Sequence, residues 1–105
     1  MSNDFSPSGF AAHKAADARL VILRGLYEQT DHTLNETLLQ KVLETYGHNV
    51  SRDYVRTQLR ALKDLGAVWL LDRSAIMVAS LTRAGVDHVE RRAVIEGVAR
   101  PSPEV

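Results

Sequence analysis

The sequence predicts a mainly α fold with a small β-hairpin, arranged as a winged helix-turn-helix, on three observations. Between Leu34 and Arg83 the order reads helix, short turn, helix, two short strands and then a Leu81-Thr82-x-x-Gly85 helix start. Val55, Leu59 and Leu62 share one face of a 3.6-residue period, while Asp53, Arg56, Thr57 and Arg60 project from the opposite face or its flank. The two helices before the strands are joined by a short turn containing Gly47, as in helix-turn-helix units.

Each element has local support. Residues 1–10 hold Ser, Pro, Gly and Asn with only two aromatics and read as a flexible arm. A first helix follows over Ala11–Gln29, with Ala16, Leu20, Leu23 and Tyr27 at helical spacing and Ile22 and Leu26 widening the stripe. The polar segment Thr30-Asp31-His32-Thr33 separates it from a second helix. Thr33 and Glu36 have capping-box spacing there, and Asn35 is a competing cap. Leu38, Leu39, Val42 and Tyr46 form the expected buried stripe, and Gly47 suits a left-handed C-terminal position.

Ser51 is the expected N-cap of the third helix. Val50 and Val55 have the spacing of a hydrophobic staple across it, and Asp53 in the first turn favours the helix dipole. Leu65-Gly66 ends that helix. Ala67–Leu71 and Ala75–Ala79 are apolar, β-tolerant runs around Asp72-Arg73-Ser74, which reads as a hairpin and hence a small wing. A fourth helix opens at Thr82 with a Leu81/Val86 staple, and Val86, Val89 and Ala93 form its inner edge. The domain is therefore expected over residues 11–96, and residues 97–105, with Pro101 and Pro103, form a C-terminal tail.

Composition narrows the function classes. A chain of 105 residues suits one domain, small enough that a dimer would help it. No apolar run approaches the roughly 20 residues needed to span a bilayer, and the N-terminus lacks a basic stretch followed by an apolar one. A soluble, cytoplasmic protein with no membrane partner is expected. Zero cysteines exclude disulfides, thiolate metal sites and cysteine nucleophiles. His13, His32, His48 and His88 form no HxxxH pair, so neither a metal nor another cofactor is expected. His48, Ser51 and Asp53 lie on one turn, too close in sequence for triad geometry, so catalysis is not expected either.

Charge bears on nucleic acid. Thirteen basic and thirteen acidic residues cancel, whereas a dedicated nucleic-acid binder usually carries a basic excess. The balance is mildly polarised. Residues 1–50 carry four basic against six acidic residues, a net of −2, and residues 51–105 carry nine against seven, a net of +2. Non-specific affinity should be weak, so tight binding would rest on site-specific contacts or two linked half-sites.

The residues also carry a family resemblance. Leu34-Asn35-Glu36-x-Leu38-Leu39-Gln40, then Gly47-His48-x-Val50-Ser51-Arg52-Asp53-x-Val55-Arg56-Thr57-x-Leu59, resembles small proteins of Mu-like phages and prophages. It continues through Leu65-Gly66-Ala67-Val68, Leu81-Thr82-Arg83-Ala84-Gly85-Val86-Asp87 and Gly97-Val98-x-Arg100-Pro101-Ser102-Pro103. Members of that group are often described as winged-helix regulators similar to ArsR-type repressors, so the resemblance implies that fold and a DNA-binding role. The paired cysteines of ArsR-type metal sensing have no counterpart here.

The candidate DNA-binding residues are therefore Arg52, Asp53, Arg56, Thr57, Arg60 and Lys63 on the third helix and Arg73 at the hairpin tip. The same cations also fit a solvated helix face. Two functions follow as expectations. One is a homodimeric transcriptional regulator that lays its third helix in the major groove of double-stranded DNA, with the first and fourth helices building the dimer. The other is a winged-helix adaptor that holds another phage or host protein during phage late functions.

Overall fold

The computed structural model describes residues 7–73 and 75–103. Its elements run α1 (Pro7–Tyr27), β1 (Thr33–Asn35), α2 (Glu36–Thr45), α3 (Arg52–Asp64), β2 (Val68–Arg73), β3 (Ile76–Leu81) and α4 (Arg83–Val89). The described residues thus form a mixed α/β domain of four helices and one three-stranded antiparallel sheet, in the order β1-β3-β2.

Helix α1 is the centre of the core. Ala18, Leu20, Val21, Ile22, Leu23 and Leu26 are all buried, because α2, α3, α4 and the sheet surround its second half. A helix apolar on most sides is one that other elements enclose. It also starts earlier than the sequence predicts. Residues 7–10, expected in the arm, are helical; a proline lacks an N–H that a first turn would leave unpaired anyway, so Pro7 suits the start. Residues 1–6 of the expected arm lie outside the described residues.

Strand β1 was not expected. Thr33, Leu34 and Asn35 pair with Ser80, Ala79 and Val78 of β3. Three residues carry no strand periodicity, and this strand exists only because β3 is beside it. The capping assignment changes with it. Asn35 caps α2, its Oδ1 accepting from the Leu38 N–H at 2.9 Å, and the Thr33 hydroxyl lies 2.7 Å from that of Ser80. The buried face of α2 is Glu36, Leu39 and Leu43, not the expected stripe: Leu38 and Tyr46 are exposed, and Val42 is half-buried.

Around the turn, Gly47 has φ +90° and the His48 N–H closes on the Leu43 carbonyl at 2.8 Å. The Gln40 amide donates to the Val50 carbonyl at 3.0 Å and so fastens the turn to α2. Helix α3 ends as expected at Gly66, whose φ of +81° lets the Ala67 N–H reach the Leu62 carbonyl at 2.9 Å.

The C-terminal region departs from expectation. Helix α4 stops at Val89, and Ala93 is exposed beyond it. His88 is the cause: its buried ring takes the Ile95 N–H on Nδ1 (3.0 Å) and reaches the Ala99 carbonyl from Nε2 (2.9 Å). These bonds turn the chain back, with Arg91 at φ +63°. Residues 97–99 are therefore docked rather than loose. Val98 is buried, and the Ala99 N–H donates to the Ala16 carbonyl at 3.1 Å. Val86 and Val89 are partly buried and pack against this same core.

No helix among the described residues is long and apolar enough to cross a membrane.

Candidate nucleic-acid interface

Helix α3 presents the candidate site. Ser51 caps it, its hydroxyl accepting from the Tyr54 N–H at 3.0 Å, with Asp53 in the first turn and Lys63 in the last, as the dipole favours. Val55, Gln58, Leu59 and Leu62 are buried. That fixes the rotation of the helix and sends Arg52, Asp53, Thr57, Arg60 and Lys63 to solvent. Thirteen residues make this face about 20 Å long. Gln58 is structural: its Oε1 accepts from Arg19 Nε at 2.8 Å, and the same guanidinium donates to the Gly97 carbonyl at 2.9 Å.

Arg56 differs from its neighbours. Its Nε and Nη2 grip the two carboxylate oxygens of Glu36, the latter pair at 3.0 Å, and Nη2 also donates to the Ala75 carbonyl at 3.0 Å. Only about a quarter of its side chain is exposed, at 26%, and Glu36 is fully buried. The remaining capacity of Glu36 goes to the Met77 N–H at 2.8 Å and to Arg52 Nε at 3.5 Å. The Arg56 hydrogen bond is the main cause that holds the Glu36 carboxyl below its usual range, ahead of the opposing effect of burial; the Met77 N–H and the charge of Arg52 add to it.

The expectation that Arg56 projects freely with Arg60 is therefore corrected: Arg56 bolts α3 to the first turn of α2 and to the start of β3. From the sequence Glu36 is recognisable only as a capping partner of Thr33. Its burial follows from the β1 strand just before it, which was not foreseen.

Arg60 and Lys63 make no ion pair among the described residues. Thr57 donates its hydroxyl to the Asp53 carbonyl at 3.0 Å but keeps its acceptor capacity at the surface. Arg73 is exposed at the end of β2, beside the hairpin turn. Between α3 and that turn lies an open cleft of about 400 Å³ lined by Arg52, Asp53, Arg56 and Ala75. The structure thus gathers Arg52, Asp53, Arg56, Thr57, Arg60 and Lys63 on one helix, with Arg73 on the hairpin.

The histidines are engaged elsewhere. His48 Nε2 lies 2.7 Å from an Asp17 oxygen, His32 stacks on Tyr27 with centroids 5.5 Å apart, and His88 is bonded to backbone. No cluster of three or more His, Asp or Glu side chains able to hold a metal occurs among the described residues.

Protein gp26 of Escherichia phage Mu is 45% identical to this chain over 87 residues, which span 83% of this chain and 90% of gp26. A protein of Haemophilus influenzae is 41% identical over 68 residues, 64% of this chain and 66% of that protein. No family model matches the sequence. No solved structure matches it either.

Proposed function

The chain belongs to the family of protein gp26 of phage Mu, and from its own geometry we propose that it acts in a phage DNA transaction as a winged helix-turn-helix protein that lays α3 in the major groove. The order α1-β1-α2-α3-β2-β3, with β1 pairing β3 and the β2–β3 hairpin as wing, supports that fold. The observation that carries the function is the outward face of α3. It joins Thr57, Arg60 and Lys63, open to a ligand, to Arg52 at the edge of a cleft shared with the wing turn. Arg60 is the residue best suited to a guanine edge, and Lys63, Arg52 and Arg73 suit phosphates. Arg56 acts through the fold, tying α3 to Glu36 and the wing turn, and not through a contact with the duplex.

The formal net charge of zero limits non-specific binding, so the reading requires a preferred sequence. Selection of genomic duplex fragments at low salt tests it: an enriched sequence that the Arg60→Ala protein no longer retains supports the reading, and no enrichment overturns it.

A second reading, an adaptor that holds another phage or host protein, draws on a different surface. Trp69 and Leu71 on the wing are 69% and 52% exposed, which suits a protein contact better than a phosphate.

A further inference from the structure

The hydrogen-bond parity of the sheet defines an open edge. The Thr82 N–H donates to the Ala67 carbonyl at 3.1 Å, while the Leu81 N–H donates in the other direction, to the His32 carbonyl at 3.1 Å. Even-numbered residues of β3 thus turn their backbone groups toward β2. The register pairs them with Trp69, Leu71 and Arg73, at Ser80, Val78 and Ile76 respectively. By the alternation of an antiparallel ladder, the N–H and C=O groups of Val68, Leu70 and Asp72 point away from the sheet. Nothing among the described residues pairs with them. Natural edge strands are usually protected by lysine, proline, a bulge or a covering element. Strand β2 has no lysine or proline along Val68–Leu71, and of these four residues only Val68, at its start, is covered.

The outer face beside this edge is graded in polarity. One cross-strand row runs Trp69, Ser80, Thr33, and the next runs Leu71, Val78, Asn35. The polar ends lie on β1, where Thr33 and Ser80 share a hydroxyl contact, and the apolar ends lie on β2. The exposed apolar area therefore abuts the open edge itself.

We propose that β2 pairs with β2 of a second copy, antiparallel about a two-fold axis through Leu71, to form a continuous six-stranded sheet. The strand Val68-Trp69-Leu70-Leu71-Asp72-Arg73 is self-complementary in that register. Leu71 meets the partner's Leu71. Trp69 meets the partner's Arg73, an apolar ring face against a guanidinium, and the symmetric contact repeats it. Leu70 lies opposite the partner's Asp72 as a hydrogen-bonded pair, which engages the outward backbone groups, and no like charges face each other. This is an isologous contact that a foreign partner would have to imitate. It leaves Arg60 and Lys63 on α3 open and takes only Arg73 from the phosphate contacts proposed above, so pairing of β2 and duplex binding by α3 are tested separately.

The chain has no cysteine, so single-cysteine variants read the axis directly. At a non-hydrogen-bonded antiparallel pair the two Cα atoms are about 4.5 Å apart, within disulfide range. Leu71→Cys should oxidise to a covalent dimer. Arg73→Cys should not, because the two copies of residue 73 are four residues out of register, roughly 14 Å apart. Wild type should sediment as a dimer at high micromolar concentration, and its single tryptophan, Trp69, should shift its emission to shorter wavelength as the dimer forms. Asp72→Pro removes only an outward N–H from an edge strand and should leave a folded monomer. A monomer of 11.7 kDa at all concentrations would overturn the proposal. So would a dimer that survives Asp72→Pro, or one whose Leu71→Cys protein stays reduced while Arg73→Cys cross-links. A lysate protein that binds the Trp69 face while the chain itself stays monomeric would also overturn it, in favour of an adaptor surface.

Discussion

Glu36 at the start of α2 and Arg56 in α3 form a bidentate ion pair on a carboxylate with no exposed surface. Through Met77 and Ala75 the same two side chains also hold the first residues of β3 and the wing turn. One pair thus sets the relative positions of two helices and the hairpin.

Arg56→Ala should therefore be strongly destabilising. It leaves the Glu36 carboxylate buried with only Arg52 and the Met77 N–H to compensate, and breaking a buried pair in this way typically costs about 3–5 kcal/mol. For a domain of this size each kcal/mol moves Tm by roughly 4–8 °C. Arg56→Lys should recover only part of the loss, because an ammonium cannot span both oxygens. A thermal melt of Arg56→Ala within a degree or two of wild type would show that the pair contributes nothing.

The pair also sets an acid limit. Glu36 has a folded-state pKa below its ordinary value, so its contribution is present above the unfolded carboxylate value of about 4.3 and is lost as pH falls through the lower folded value. Wild type should be more stable than Glu36→Gln at neutral pH, and the gap should narrow steadily below about pH 4. Melts of both proteins from pH 7 downward check this; a gap independent of pH would mean that Glu36 is not ionised in the fold.

His88 is predicted to be the clasp of the C-terminal segment. His88→Leu keeps the volume apolar but leaves the Ile95 N–H and Ala99 carbonyl without their partners, each at a cost of about 1–3 kcal/mol if they stay buried. The segment 95–99 should loosen first. Hydrogen exchange at the Ile95 and Ala99 amides should accelerate in His88→Leu well beyond the change at Leu59; equal changes throughout would mean that the effect is global.

What the sequence made legible was local. The start of α3, its register and its end follow from Ser51, the Val50/Val55 spacing and Gly66, all within a few residues of the feature they define. The hairpin likewise followed from two β-tolerant runs, although Asp72 and Arg73, expected in its turn, are the last residues of β2 and pair with Met77 and Ile76. Strand β1 was invisible because Thr33-Leu34-Asn35 has no pattern of its own and depends on β3, more than forty residues on. The burial of Glu36 was hidden for the same reason: a glutamate after a polar segment reads as a cap until the pairing partner is known. Helix α4 was drawn too long because a buried histidine bonding forward to Ile95 and Ala99 leaves no periodic trace. The helix that carries Arg56 is legible and its environment is not, since helical spacing gives a face and not the acid that meets it.

The last prediction separates recognition from scaffold on α3. Arg60 and Lys63 are exposed and form no ion pair among the described residues, so Arg60→Ala and Lys63→Ala should shift stability by less than about 0.5 kcal/mol. If α3 reads a duplex, Arg60→Ala should lose about 1–3 kcal/mol on the selected sequence and relax preference at one base pair. Lys63→Ala should weaken all sequences alike and reduce the log–log salt slope by about 0.9, as the loss of one phosphate contact requires. Arg56→Ala should lose binding only in proportion to its lost fold, and Leu59→Ala, which opens a core cavity costing on the order of 2–5 kcal/mol, should behave the same way. Binding measured at two salt concentrations, with the folded fraction known for each protein, distinguishes these outcomes. Arg60→Ala and Lys63→Ala proteins that bind the selected duplex like wild type would remove α3 from the interface and leave the exposed Trp69 and Leu71 face as the functional surface.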